Sequence, residues 1–292
     1  MAPSAVSPTS TPILNGQSNG HQSNGHSFHN LSKPSIFASP TDDDLLDLIC
    51  VGFGPASLAI AIALQDACTS SLRSKAPPKV LFLEKQPQFA WHAGMQIPGA
   101  KMQISFLKDL ATPRDPRSQF TFLNYLHQKG RLNQFINLGT FLPSRLEYED
   151  YLRWCAGHFD DVVRYGQEVE GVNAGETSDD DGKVNSFVIT ARDGNGELIK
   201  RKARHVVIAV GGQGVIPLAL RGLKNVVHSS QYATAIGQIA ERERGRKLRF
   251  AVVGSGQSAA EIFSDLWDRF PDAEVRLVIK GARLRPSDAS PL

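Results

Sequence analysis

Two short stretches carry the residue types and spacing that nucleotide chemistry requires. Gly52-Phe-Gly54-Pro-Ala-Ser57 lies between one apolar run and an Ala/Ile-rich one. In such a turn the first glycine permits the tight bend and the second lets the backbone approach a pyrophosphate. A third small residue lets helix pack on strand. The helix after the turn presents free N–H groups to the phosphates. "KVLFLEK" (79–85) then ends near Glu84, a carboxylate placed to accept hydrogen bonds from a ribose. The interval from Gly54 exceeds the ~20 residues usual for this fingerprint, and the polar connection 69–78 accounts for the excess. The pattern recurs at Gly254-Ser-Gly256-Gln-Ser-Ala259, followed by "EVRLVIK" (274–280). There the terminal residue is Lys280, with Arg283 close behind, so a cation replaces the acid and favours a 2′-phosphate, hence NADP over NAD. The competing reading of Lys280 is a side chain that simply leaves the sheet for solvent.

Positioning these turns takes strand–turn–helix units. The run 45–51 reads as a buried strand and 57–64 as a helix; 79–85 is a second strand. The stretch 45–64 is long enough for a membrane span, but Asp47, two glycines and Pro55 divide it into two periodicities, so no span is expected. A strand over 248–253, a helix and a strand over 274–280 repeat the unit. Between them "RHVVIAVGGQGVIP" (204–217) reads as a strand running into glycines and a proline, the connection expected where one nucleotide domain interrupts another. The fold class is therefore α/β: a two-dinucleotide-binding-domain flavoprotein with Rossmann-like FAD and NADP domains, incomplete at the C-terminus. Residues 1–43 form a low-complexity tail, 44–244 the N-terminal portion of the FAD-binding domain, and 245–292 the first βαβ of the NADP-binding domain.

Composition narrows the alternatives. The 292 residues are 41% hydrophobic and 21% charged, with a formal net charge of +3, ordinary values that give a polyanion binder no support. The mixed run "ERERGRKLR" (241–249) reads as a solvated helix end. Three separated cysteines, Cys50, Cys68 and Cys155, form no CxxC and no disulfide framework, which points to a reducing compartment, the cytoplasm. The tail is Ser/Asn/Gly/Pro-rich; His21, His26 and His29 read there as solvated residues, not as metal ligands, and Lys33 is too isolated for a presequence. No metal site and no nucleic-acid motif is expected.

The middle segment has unusual content for a linker. Trp91 and His92 come after the ribose-binding strand; Gln103 both donates and accepts hydrogen bonds, as a flavin edge requires; Lys108 is a lone cation after "ISFL". Core packing for Trp91 and a surface position for Lys108 are the plainer alternatives.

"FAWHAGMQIPGAKMQISFLKDLATPRDPRSQFTFLNYLHQKGRL", "FLPSRLEYEDYLRWCA", "VGSGQSAAEIF" and "LRPSDASP" closely resemble the fungal L-ornithine N5-monooxygenases of hydroxamate siderophore biosynthesis, from about Asp44 to the last residue. The resemblance implies an oxidoreductase with FAD in the first site and NADPH in the second, which uses molecular oxygen to hydroxylate the side-chain amine of L-ornithine to N5-hydroxyornithine. It places Glu84, Lys85, Gln86, Pro87, Gln88, Phe89, Ala90, Trp91 and His92 along the FAD, with Gly52 and Gly54 at its pyrophosphate. Met102 and Gln103 lie beside the flavin, and the Val169 backbone meets the adenine. Gly254, Ser255, Gly256, Gln257 and Ser258 line the NADPH, and Lys108 pairs with the ornithine α-carboxylate. No residue is assigned a catalytic role. Lys280 stands where the family usually has an arginine for the 2′-phosphate; lysine keeps the charge and loses the bidentate fork, so weaker NADPH binding is expected. The resemblance also implies a homotetramer for a complete chain.

A lysine or diamine hydroxylase of the same family is the first alternative. The second is a truncated, inactive nucleotide-binding fragment. The sequence stops in "KGARLRPSDASPL", where the resemblance implies that further substrate-side asparagines, an ATGY-type motif and a closing FAD segment come next. An unpaired sheet edge and exposed apolar surface are the expected physical result.

Overall fold

A computed structural model describes residues 35–41, 43–71, 76–177 and 183–284. Residues 1–34, with the three histidines, and the final "RPSDASPL" lie outside the described residues; the end of the expected tail instead packs on the fold, with Phe37 buried in the core and Ala38 bridged to Lys79. The chain runs β1 (Leu45–Val51), α1 (Pro55–Ser71), β2 (Val80–Glu84), α2 (Phe122–Gln128), α3 (Leu132–Asn137), α4 (Arg145–Ala156), β3 (Val163–Tyr165), β4 (Glu168–Ala174), β5 (Phe187–Arg192), β6 (Leu198–Ile208), α5 (Tyr232–Arg242), β7 (Arg249–Val253), α6 (Gln257–Arg269) and β8 (Glu274–Val278).

One sheet has the strand order β3-β2-β1-β6-β5-β4. Its β3, β2, β1 and β6 are parallel, with Leu48 opposite Val80 on one side and His205 on the other; β5 and β4 return antiparallel. The central strand β1 is covered on both faces over its second half, which is why Leu48–Val51 reads as an apolar run after Asp47. Cys50 meets Phe82 and the α1 residues Leu58, Ala61 and Ile62 in one cluster, which continues into Tyr151, Leu152 and Cys155 of α4. Leu46 and Ile49 join Leu81, Leu83, Ile189 and Ala203 in another. A second sheet contains β7 and β8, parallel, with Ala251 opposite Arg276. Its α6 buries Ala259, Ile262 and Leu266 against Tyr232 and Ile236 of α5, and against Met95 and Ile97 from the first sheet's long loop.

The predicted elements exist with shifted ends. The first helix covers 55–71 instead of 57–64: Pro55 takes the first helical position, where its missing N–H costs nothing. The connector's strand is only the tail of β6, whose polar first half hid it from a hydrophobicity reading. The mixed-charge run spans the end of α5 and the turn before β7, and so is only partly a helix end. The last strand stops at Val278, two residues short of the expected 280, so Lys280 stands in the exposed loop beyond it. Among the described strands β7 and β8 pair only with each other, and Ile208, Val210, Val253 and Val278 are exposed near the carboxyl ends of β6, β7 and β8. No helix among the described residues is long and apolar enough to cross a membrane.

Candidate functional site

The first glycine turn is dictated by backbone geometry. Gly52 has φ +90°, and a Cβ there would sit 2.6 Å from the Ala209 carbonyl oxygen. The strand end is clamped from both sides, since the Gly52 N–H donates to the Leu83 carbonyl at 2.8 Å and the Ala209 N–H to the Val51 carbonyl at 2.8 Å. At Gly54 the situation reverses: a Cβ would meet nothing within 4 Å. Bare backbone thus faces open space at the start of α1. Ser57, the third small residue, is fully buried beside the Cys50 thiol, whose pKa burial pushes up to about 12.

Glu84 closes this turn. Its Oε2 accepts the Phe53 N–H at 2.7 Å and its Oε1 accepts the Gln86 N–H at 2.9 Å. A carboxylate has about four acceptor positions, so both oxygens keep capacity for ribose hydroxyls. Lys85, Gln86, Pro87 and Gln88 form an exposed loop; the Phe89 ring turns into the core, edge-on to Phe53 at 6.2 Å. Ala90 is half-buried, and the Trp91 indole packs 5.8 Å from Tyr148, so the plainer core role holds for part of its surface.

His92 has φ +46°, the one described non-glycine residue with positive φ. Such backbone is uncommon outside glycine and clusters at ligand clamps and active sites. Partial enclosure of the ring, and then the neighbouring Arg145 charge, hold its pKa below 6.5. The turn it opens, Ala93–Met95, lies hard against the 229–231 backbone: a Cβ on Gly94 would lie 1.8 Å from the Ser230 carbonyl oxygen.

The loop carrying Met102, Gln103 and Lys108 is stitched to the approach of α4. Met102 N–H donates to the Pro143 carbonyl (2.8 Å), Phe106 N–H to Phe141 (2.9 Å) and Arg145 N–H to Ala100 (2.9 Å). Met102 is buried and Gln103 exposed, its amide 3.3 Å from the Lys101 carbonyl. Lys108 ends a short turn capped by Ser105; its ammonium is exposed and pairs with no carboxylate among the described residues. The buried Asp109 carboxylate anchors the segment up to α2, accepting the backbone N–H groups of Ala111 (2.9 Å) and Phe122 (2.7 Å) and the Thr112 hydroxyl (2.8 Å). Val169 sits on β4 where the register against β5 slips between Val169 and Gly171, a bulge.

At the second turn Gly254 has φ +146°, and its absent Cβ would be 3.3 Å from the Ala259 methyl. Gly256 caps α6, with nothing within 4 Å of a Cβ. Ser255 is half-buried, Ser258 is exposed, and the Gln257 amide donates to Glu261 Oε1 at 2.8 Å. Lys280 and Arg283 are exposed and lie beyond β8.

Two residues absent from the sequence expectations join the turns. Arg145, the first residue of α4, reaches Glu261 on α6 (Nη2 to Oε1, 2.9 Å; Nη1 to Oε2, 2.7 Å), and its Nη1 donates to the Met95 carbonyl at 3.2 Å. Both side chains are 14% exposed. The legible signal was a cation in the first turn of a helix, against the dipole, behind a Ser144…Glu147 capping box; such a misplaced charge calls for a tertiary partner.

Two strand–glycine turn–helix units, one continued by a strand that ends in a carboxylate and the other by a strand leading to a lysine, define an α/β protein of the two-nucleotide class. Residues 44–292 match the family profile of L-lysine 6-monooxygenase/L-ornithine 5-monooxygenase, and the chain belongs to that family. It is 54% identical over 255 residues to the L-ornithine N(5)-monooxygenase of Emericella nidulans, covering 85% of this chain and 51% of the relative. The corresponding protein of Burkholderia cepacia is 43% identical over 251 residues (85% and 55%). Among solved structures, ornithine hydroxylase from Pseudomonas aeruginosa superposes with a TM-score of 0.75 at 40% identity, covering 85% of this chain and 58% of that one. An ornithine N-hydroxylase of Kutzneria with reduced FAD, NADP+ and L-ornithine also gives 0.75, at 35% identity (85% and 56%). The chain spans about half the length of the curated relatives it matches.

Proposed function

We propose that this protein is an FAD- and NADPH-dependent monooxygenase that hydroxylates the side-chain amine of L-ornithine, converting amine, O2, NADPH and a proton to N5-hydroxyornithine, NADP+ and water. The observation that carries the reading is the pair of bare glycine turns, at Gly52–Gly54 and Gly254–Gly256, in a chain 54% identical to an L-ornithine N(5)-monooxygenase.

The residues fit both groups. Open backbone at Gly54 and Gly256, each beside a helix start, suits a pyrophosphate, and Glu84 keeps acceptor capacity for a ribose. FAD belongs at the first turn, along 85–92, with Met102 and Gln103 beside its ring and the Val169 backbone at its adenine. NADPH belongs at Gly254–Ser258, with Lys280 offering charge to the 2′-phosphate. When bound, flavin supplies the electron transfer and oxygen chemistry that side chains lack.

The chain's own residues then position and select. Lys108 holds the α-carboxylate of ornithine, supported by an exposed ammonium, unpaired among the described residues, on a turn fixed by Ser105 and Asp109. The amine at the other end has a solution pKa of about 10.4 and must react as the free base, so a cation held at the carboxylate end is better placed than one at the amine. Three free thiols agree with a reducing, cytoplasmic setting. The test is NADPH-dependent hydroxylamine formation by the FAD-loaded chain with ornithine and with lysine in parallel. Product from ornithine alone is expected. Product from lysine alone would move the reading to the neighbouring activity, and none from either would overturn it.

A further inference from the structure

A line of polar contacts crosses from one glycine-turn unit to the other. It runs from the Met95 carbonyl to Arg145 (3.2 Å), from Arg145 to Glu261 (2.7 and 2.9 Å), and from Glu261 to the Gln257 amide (2.8 Å). One end is the turn that His92 opens in left-handed backbone; the other is the first residue of α6, next to the Gly256 cap. Both charges are largely out of water, where a lone carboxylate or guanidinium is strongly disfavoured, so separating the two ends leaves a poorly solvated charge without its partner. Packing reinforces the link. Gly94 rests on the Ser230 carbonyl, and Met95 and Ile97 share a buried cluster with Ile262 and Leu266 of α6.

We propose that Arg145 and Glu261 are positioning residues that couple the two nucleotide sites, so that a dinucleotide on the Gly254–Ser258 turn tightens binding of the one on the Gly52–Glu84 turn. This rests on the assignment of FAD and NADPH to those turns. Ordering Gln257 from one side and the His92–Met95 turn from the other draws on the same ion pair. The ligand that binds second therefore has less left to order, and coupling of this kind is reciprocal.

The test is equilibrium titration of the 292-residue chain with FAD, in the absence and presence of saturating NADP+, monitored by flavin fluorescence. In the unaltered chain NADP+ should tighten FAD binding by about 5-fold or more, within the usual range of coupling between sites. In Glu261→Ala that ratio should fall toward 1, while the affinity for each nucleotide alone changes by less than about 3-fold. Glu261→Gln is the near-isosteric variant should the alanine protein fail to fold, and it too should lose most of the coupling. Arg145→Lys keeps the ion pair and should keep at least half of it on a logarithmic scale. If FAD and NADP+ each bind but neither affects the other, or if the ratio survives in Glu261→Gln, the coupling role is wrong and the site assignment stands. If the folded chain binds no FAD at all, the assignment itself fails and takes the coupling with it.

Discussion

Gly94 lies against Ser230 so closely that a single added Cβ would stand 1.8 Å from the Ser230 carbonyl oxygen, well inside any permitted contact. A glycine buried in a loop thereby joins the turn after Trp91-His92 to the segment leading into α5. In Gly94→Ala the turn or the 229–231 backbone must move. Overpacking of this kind costs about 1–3 kcal/mol, and urea denaturation should show a loss in that range. A midpoint unchanged from the parent would mean that the contact is not fixed.

Gly54→Ala should behave in the opposite way. Its Cβ meets nothing within 4 Å, so stability should change by less than about 1 kcal/mol, whereas FAD affinity should drop at least tenfold if, as proposed, the methyl enters the space of the pyrophosphate. Calorimetric titration beside a thermal melt separates the two effects. Gly256→Ala makes the same prediction for NADP+.

His92 yields a pH prediction with a definite sign. Enclosure and the Arg145 charge lower its folded pKa below the ordinary 6.5. The unfolded chain therefore takes up the proton first as pH falls. The contribution of His92 to stability is complete above about 6.5 and is lost on acidification between 6.5 and the folded pKa. Its imidazole NMR signal should titrate with a midpoint under 6.5, and Arg145→Met should move that midpoint up. A shift downward in that variant would contradict the assigned cause.

Much of the site was legible because its chemistry lives in local backbone. The turn at Gly52, the open position at Gly54, the buried Ser57 and the terminal carboxylate Glu84 can all be read from strand, turn and helix taken in order. Element ends were less legible: Lys280 was placed on a strand, yet β8 stops at Val278, where the described sheet offers no partner beyond β7. The antiparallel β4 and β5 escaped notice because β4 is largely exposed and interrupted by Gly171 at a register slip, and β5 is a short run of six residues. Arg145 and Glu261 were invisible for a different reason. Their meaning depends on a pairing 116 residues apart, and no local pattern encodes which cation meets which carboxylate.

The proposed role of Lys108 at the ornithine carboxylate separates substrate recognition from nucleotide chemistry. Lys108→Ala should weaken ornithine binding by about 10- to 100-fold, the value of a charge-assisted contact of roughly 1.5–3 kcal/mol, while FAD and NADP+ affinities stay near those of the parent. Calorimetry with ornithine reads this directly; unchanged ornithine affinity would remove Lys108 from the site.

Asp109 should matter to the same loop through structure alone. Asp109→Ala leaves the buried N–H groups of Ala111 and Phe122 without their acceptor, at a cost of about 1–3 kcal/mol for each group left unsatisfied. Chemical denaturation should register it as a large loss even without any ligand.

The central claim is that the first glycine turn holds FAD, and the most direct measurement is the visible absorption spectrum of the purified 1–292 chain after incubation with FAD and gel filtration. The account predicts a protein-bound flavin band near one FAD per chain, lost in Gly54→Ala. A chain that is folded by circular dichroism and emerges from the column colourless would contradict it.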